Sequence, residues 1–229
     1  MAEGKVIIGF SAPYVGLYNN AGGGSTKYIK GQRLARGVSV SLNVNASDDN
    51  DFYADNVVAE SEGGKFSDGT LKYSVDGLFD AAERFIYGLP EPEKVSYGES
   101  QSVNITKYGD SANPPYVGAG HIIHYQSDGI VTYQPMILPK TKFITHGNDA
   151  KTKEDQKNWQ TQSLEASIHR DDTPDHDWKW LIEEQATEEE AIAILKALLS
   201  VADEADPVEP AAAGDEPAGE QVVHEHAHG

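Results

Sequence analysis

Hydrophobic and polar residues alternate with a period of two where Val38, Val40, Leu42 and Val44 are set against Ser39, Ser41, Asn43 and Asn45. That period predicts a strand with one apolar face and one face of small polar residues. An acidic, turn-forming run follows, Ser47-Asp48-Asp49-Asn50-Asp51, and then a second β-prone run over residues 52–60. Beyond Gly63-Gly64, Leu71, Tyr73 and Val75 alternate again. The stretch 36–75 therefore reads as a meander whose first connection is a long acidic hairpin projecting over Asp48–Asp55. Connections that carry this much charge beside strands are places where function concentrates.

The flanking segments continue the β pattern. Residues 14–18 read as a short strand, residues 19–25 as a flexible tip, and Tyr28-Ile29 as the return. The glycines at 22–24 lack the Gly-Lys-Ser/Thr ending of a phosphate cradle, so they read as the tip itself. After Val75 the period changes. Leu78, Ala82, Phe85 and Ile86 share one helical face, with Gly88 placed to end the helix and Pro90 beyond it. So short a helix has to lie against the sheet.

Strand signals resume from 95 to 168. Val103 and Ile105 alternate, and Tyr116-Val117 opens another run. Residues 122–127 face residues 130–133 across Asp128-Gly129, a type I′ turn signal. Residues 142–145 read as a further strand, 148–158 as a charged loop, and Leu164, Ala166 and Ile168 as the last long strand. Asp171 to Asp175 then turns the chain toward Trp178 and Trp180. Thr187 with Glu190 three residues on forms a capping box. The helix it starts carries Ile192, Leu195 and Leu199 on one side with Ile194 and Leu198 beside them. Only Glu189, Lys196 and Ser200 mark a wet face, so this helix is expected to be well buried.

The domain organisation expected is an N-terminal arm and first hairpin over 1–35, which lends strands to a β domain over 36–201. An Ala/Pro/Gly/Glu-rich extension over 202–229 has the composition of a disordered segment. The fold class is mainly β, a sandwich or barrel with a flanking helix, a second C-terminal helix and the long projecting hairpin.

Composition sharpens this. A chain of 229 residues with 38% hydrophobic content can bury a core, and three Trp, eleven Tyr and six Phe suit sheets. Net charge is −19, with eight of the 37 acids between Asp203 and Glu225 and no Lys or Arg there. The first 201 residues remain acidic, with 29 acids to 18 bases. That balance argues against phosphate neutralisation on nucleic acid and against docking on an anionic membrane. The absence of cysteine excludes disulfides, thiol catalysis and Cys-ligated zinc. The N-terminus lacks a basic n-region, Val6-Ile7-Ile8 is too short for a signal-peptide core, and no apolar window is long enough for a membrane span. Folding in cytoplasm without a cofactor is expected.

Two acidic groups invite a chemical reading. Asp171, Asp172, Asp175 and Asp177 could hold a hard cation, and Asp48, Asp49 and Asp51 could act as paired carboxylates. Neither fits calcium-loop spacing, and both sit where Asp is favoured for turn hydrogen bonds. His121 and His124, three apart on a strand, point to opposite faces. The His224-Glu225-His226-Ala227-His228 run could pick up divalent metal adventitiously. No Gly-x-Ser-x-Gly or His-Glu-x-x-His occurs. The expectation is a non-enzyme with no catalytic residue, no metal site and no cofactor. A many-stranded antiparallel sheet leaves edges that invite pairing with another copy, and a head-to-tail contact of that kind closes into a ring where the rotation permits.

Several segments, in order, resemble the major tail proteins of long-tailed, non-contractile bacteriophages. They are Asp51-Phe52-Tyr53-Ala54-Asp55-Asn56-Val57-Val58-Ala59-Glu60, Gly69-Thr70-Leu71, and Val75-Asp76-Gly77-Leu78 with the helix ending Ile86-Tyr87-Gly88-Leu89. Residues 159–168 and the acidic start of the last helix, Thr187-Glu188-Glu189-Glu190-Ala191, complete the likeness, which covers roughly residues 5–201. The resemblance implies a tail tube subunit whose hexameric rings stack into a hollow tube in the virion, assembled in the host bacterial cytoplasm. Its implied partners are further copies of itself and other tail proteins (tape measure, tail terminator, distal tail protein). Genomic DNA would pass through the lumen without specific binding, and no membrane is implied. It also implies that the loop over Ala46–Asp55 mediates ring stacking, making Ser47, Asp48, Asp49, Asn50, Asp51, Tyr53 and Asp55 the stacking candidates. Inward-facing strands line the channel in that family. Ser39, Ser41, Asn43 and Asn45, with nearby acids, are the lumen candidates here. The glycine-rich tip and the acidic tail depart from the family pattern. A monomeric β-sandwich binding a carbohydrate or other ligand, and a secretion-system tube protein of the same fold, are the alternative readings.

Overall fold

In a computed structural model the chain is mainly β. The structure describes residues 4–20, 25–48, 50–54, 57–145, 147 and 160–202. Two strands open it, β1 (Val6–Asn19) and β2 (Lys27–Arg33), followed by β3 (Gly37–Ala46). A two-stranded arm, β4 (Asn50–Ala54) and β5 (Val57–Glu62), separates β3 from β6 (Phe66–Val75). Helix α1 (Asp80–Tyr87) and a second small hairpin, β7 (Glu93–Tyr97) with β8 (Gln101–Ile105), come next. The long strands β9 (Tyr116–Ser127) and β10 (Ile130–Ile144) are followed by β11 (Gln162–His169), the short β12 (Trp180–Leu181) and helix α2 (Glu188–Leu199).

One antiparallel sheet organises these elements in the order β2-β1-β9-β10-β11-β6-β3, with β12 also paired to β10. The sheet is rolled, so that the start of β3 lies against β1. A Cβ at Gly37 would fall 2.3 Å from the Phe10 ring, and the Leu34 amide donates to the Pro13 carbonyl at 3.0 Å. Inside the roll, Val15, Leu71, Tyr73, Val75, Val117, Leu138, Phe143, Leu164 and Ile168 pack with Ala82, Ile86 and Tyr87 of α1. Outside it, α2 lays Ala191, Leu195 and Leu199 on Tyr14, Tyr28, Ile122 and Ile137 as a second core.

Local signals explain several boundaries. Gly88 ends α1 in the left-handed conformation (φ 59°), and the Leu89 amide closes the helix onto the Arg84 carbonyl at 3.0 Å. The Thr187 hydroxyl accepts from the Glu190 amide at 3.3 Å, the capping contact expected of that pair. Asp128 and Gly129 both have positive φ, 51° and 80°, as a type I′ turn requires, and Ser127 pairs with Ile130 around them.

Four expectations are corrected. The short strand over 14–18 is the second half of a strand that begins at Val6. An irregularity between Ser11 and Tyr14, with Ala12 at φ 52°, bends it without ending it. Residues 142–145 are not a separate strand. β10 runs unbroken from Ile130 through Pro135 and Pro139, and the register shift between Leu138 and Thr141 accommodates Pro139. The acidic run Ser47–Asp51 is not the hairpin tip. The ladder continues from Ala46–Phe66 through Ser47 N–H to the Lys65 carbonyl (2.8 Å) into the pair Asn50–Glu62 and on to Ala54–Val57. Lastly, α2 is buried along Ala191, Leu195 and Leu199, while Leu198 is 42% exposed. One sheet face covers one stripe of a helix, and its other stripe stays wet.

β3 is itself an edge strand paired to β6 alone, so its apolar face is only partly covered. Val40 and Leu42 pack on the inner core, whereas Val38 and Val44 at its ends are exposed. The extension 203–229, the tip 21–24 and the whole loop 148–158 lie outside the described residues.

Candidate assembly face and arm

Alternation along β3 and β6 decides what the outer face of this wing offers. With Val40, Leu42, Leu71, Tyr73 and Val75 turned inward, Ser39, Ser41, Asn43 and Asn45 all stand exposed on the other side. Cross-strand pairing sets them opposite Ser74, Lys72, Thr70 and Asp68. The next strand continues the row, because Ser163, Glu165 and Ser167 of β11 lie opposite Ser74, Lys72 and Thr70. The four lumen candidates thus belong to one polar surface running over β3, β6 and β11.

The surface is tied internally. Asn45 Nδ2 donates to Asp68 Oδ1 at 2.6 Å, and Ser67 Oγ donates to Asp68 Oδ2 at 2.7 Å. These two donors hold the Asp68 carboxyl below the usual carboxylate range. Lys72 Nζ lies 3.0 Å from Glu165. Toward β10, Lys142 sits opposite Ser167, and its ammonium lies over the Tyr116 ring. Lys140 pairs with Asp172 at 2.6 Å and also overlies Tyr116. His169, at the end of this row, is held below the ordinary imidazole value by burial and by Lys140 and Lys142. The face is therefore near charge balance rather than acidic. Asp68 and Glu165 are offset by Lys72 and Lys142, and hydroxyls and amides fill the rest.

The arm extends the same two strands. Lys65 N–H donates to Ser47 Oγ at 3.0 Å, bridging the β3–β6 ladder to the β4–β5 ladder. Ser47 and Asp48 are exposed at this base. Asn50, Asp51 and Tyr53 occupy successive and alternate positions on β4, with an irregularity between Phe52 and Tyr53. Asp49 and Asp55 lie outside the described residues.

Other candidate chemistry resolves into structure. Asp171 is almost fully buried and its oxygens are engaged, Oδ2 by Thr26 at 2.9 Å and Oδ1 by the Thr173 hydroxyl at 2.7 Å. Its amide donates to the Asp177 carbonyl, so the run from Asp171 to Asp177 is a closed turn. Among the described residues no group of three His, Asp or Glu is placed to hold a metal ion. The two histidines of β9 do point to opposite faces. His121 is buried in the roll with Nδ1 2.8 Å from the Tyr73 hydroxyl. His124 lies outside, where Nε2 is 2.8 Å from Ser11 Oγ.

Sequence reasoning missed the group that His124 belongs to. Ser11 Oγ also donates to Glu188 at the start of α2, and Glu188 lies 3.6 Å from the same His124 Nε2. A serine nucleophile needs its histidine oriented by the acid through the opposite ring nitrogen. Here the acid and the hydroxyl share one nitrogen, so the trio fastens α2 to β1 and β9. Residues 113 and 177 positions apart leave no local signal of that contact.

No protein-family model matches the chain, and no curated protein matches it. No helix among the described residues is long and apolar enough to cross a membrane.

Proposed function

We propose that this protein is a structural, self-assembling subunit of a phage tail tube, with no catalytic role. Copies form closed rings, and the rings stack into a hollow cylinder for DNA. The observation that carries the reading is the uncovered polar face of β3, β6 and β11, whose own two edge-side strands run on into the β4–β5 arm. A conduit for a polyanion has to avoid rows of unpaired cations, which capture phosphates by counterion release. On this face the Lys72 charge is met by Glu165, the Lys142 ammonium lies over the Tyr116 ring, Asp68 is held by Asn45, and the remaining groups are hydroxyls and amides. The arm projects from the same edge, where it reaches a neighbouring copy, and the free edge of β3 offers a ladder for lateral pairing. Tape measure, terminator and distal tail proteins are the further partners this role entails, with the virion tail as its location.

Negative-stain microscopy of the purified chain over a range of concentration and salt tests this directly. Rings or hollow tubes are the expected result. Particles that stay monomeric under every condition, or a monomer that binds a carbohydrate, would overturn it. Replacing Asp48, Asp49 and Asp51 by Lys is expected to abolish stacking, and unchanged tubes would remove the arm's base from the interface.

A further inference from the structure

The chain carries two exposed apolar surfaces, one that projects and one that is hollow. The β7–β8 hairpin pairs Glu93, Val95 and Tyr97 with Ile105, Val103 and Gln101, so alternation puts Val95, Tyr97, Val103 and Ile105 on one face. Its other face carries Lys94, Ser96, Ser102 and Asn104. Among the described residues no third strand joins this pair, and Tyr97, Val103 and Ile105 are exposed. Two strands alone are marginal in water, and an apolar face left on such a pair marks a contact surface.

The hollow surface is a cavity of about 340 Å3 between the start of β1 and β3, lined by Ile7, Phe10, Val38, Val40, Leu42 and Met136, among others. Ile7 and Val38 are themselves exposed. The backbone is open there as well. β1 pairs with β2 only from Tyr14 onward, and β3 pairs with β6 alone, so each of the two strands brings a free edge to the cavity.

These surfaces lie at opposite ends of the roll. The hairpin is strung between α1, which follows Val75 of β6, and Tyr116, which starts β9. Val75 pairs with Gln162 at the start of β11, and Tyr116 pairs with Lys142 near the finish of β10, so all four mark one end. Ile7 instead pairs with Tyr125 near the finish of β9, and Ala46 pairs with Phe66 at the start of β6, where the β4–β5 arm leaves the body. One copy therefore cannot fold its hairpin onto its own cavity, whereas copies set head to tail can join the two. Neither surface carries an unpaired charge. Glu93, at the corner of the hairpin face, is met by Lys107. His121, the one titratable group in the cavity lining, is held neutral by burial, with Nδ1 2.8 Å from the Tyr73 hydroxyl. Joining the surfaces strands no ion.

We propose that the β7–β8 hairpin of one copy seats Val95, Tyr97, Val103 and Ile105 in the cavity beside Ile7 and Val38 of the next, a head-to-tail contact repeated from copy to copy. This rests on the self-assembly proposed above and gives it a second contact, at the end of the body from which the arm also leaves.

Because the chain has no cysteine, single cysteines report the contact alone. Mixed under mild oxidation, Val103→Cys and Val38→Cys proteins are expected to link several-fold more than Ser102→Cys with Val38→Cys. Val103→Asp and Val38→Asp are each expected to remain monomeric in sedimentation. Both side chains are exposed in the single copy, so thermal unfolding of either monomer should match the wild type. Mixing the two Asp variants should restore a one-to-one dimer, since each keeps the surface that the other lacks. Rings or tubes that form unchanged from either Asp variant would overturn the hairpin contact and leave the assembly reading standing. Linked pairs that never grow into rings or tubes would uphold the contact and sink the tube. Val103→Cys linking to itself as readily as to Val38→Cys would refute the head-to-tail arrangement. Wild-type monomers under every condition, with no cross-link, would remove both.

Discussion

The two wings of the one sheet are built by different rules. Over the middle of the β1–β9–β10 wing both faces are covered, by the roll's interior on one side and by α2 on the other, while Val6, Ile7 and Ile130 at its end stay exposed. On the β11–β6–β3 wing only the interior face is covered. β9 is buried at six consecutive positions from Val117 to Ile122, whereas β11 alternates buried Leu164, Ala166 and Ile168 with partly exposed Glu165, Ser167 and His169. The covered wing gains burial and loses surface. The bare wing keeps a polar face that another molecule can use, and single substitutions there are expected to change a monomer's stability little.

The largest break in that comparison should come from Leu195, fully buried on the covered wing. Leu195→Ala is expected to cost ~2–5 kcal/mol in chemical denaturation, the range for truncating a buried leucine. Ser41→Ala, at an exposed outward position of the bare wing, is expected to change stability by less than about 0.5 kcal/mol. Equal losses at the two sites would mean that the outer face of the bare wing is also packed.

Acidification sharpens the same contrast through the histidines. Burial pushes the His121 imidazole down to about 3, so it is neutral in the folded chain and charges near 6.5 in the unfolded one. The unfolded state therefore binds the extra proton. The contribution of His121 is complete above about pH 6.5 and is lost as pH falls toward 3, at up to about 1.4 kcal/mol per pH unit. His169 on the bare wing shifts in the same direction, through partial burial and its lysine neighbours. Denaturant titrations from pH 7 to 4 should show His121→Gln flattening the slope far more than His169→Gln. A reversed order would place the buried imidazole elsewhere than in the roll.

How much of this was legible follows from the same division. On the bare wing, alternation of large apolar with polar residues marks β3, β6 and β11 directly, and the outward residues can be counted off. On the covered wing, Gly118, Ala119, Gly120 and His121 carry no contrast that a hydrophobic period could detect. Their smallness is itself the requirement, since a Cβ at Gly118 would lie 2.2 Å from the Tyr28 ring and one at Gly120 3.0 Å from Leu199. The unbroken lengths of β1 and β10 were hidden by Pro13, Pro135 and Pro139, which local rules read as strand breaks. The Ser11–His124–Glu188 contact was hidden because only the docking of α2 brings its members together. The charge balance of the polar face was hidden as well, because it depends on which strands lie side by side rather than on net composition.

The smallest expected effect tests what the bare face is for. Lys72 and Glu165 face each other across β6 and β11 with side chains 56% and 43% exposed. A double-mutant cycle on the isolated chain, Lys72→Ala against Glu165→Ala, should give a coupling of ~0.2–1 kcal/mol that shrinks as salt is raised. The same cycle on assembled material separates two fates for the face. If it lines a water-filled bore, the pair remains in high dielectric, and the coupling measured through assembly stays within that range. If instead the face is pressed against another protein surface, water is lost, and removing one partner strands an unpaired charge at a cost of ~3–5 kcal/mol. Single substitutions that leave assembly unaffected would therefore favour the bore, whereas either one abolishing assembly alone would turn the polar face from a channel wall into a contact.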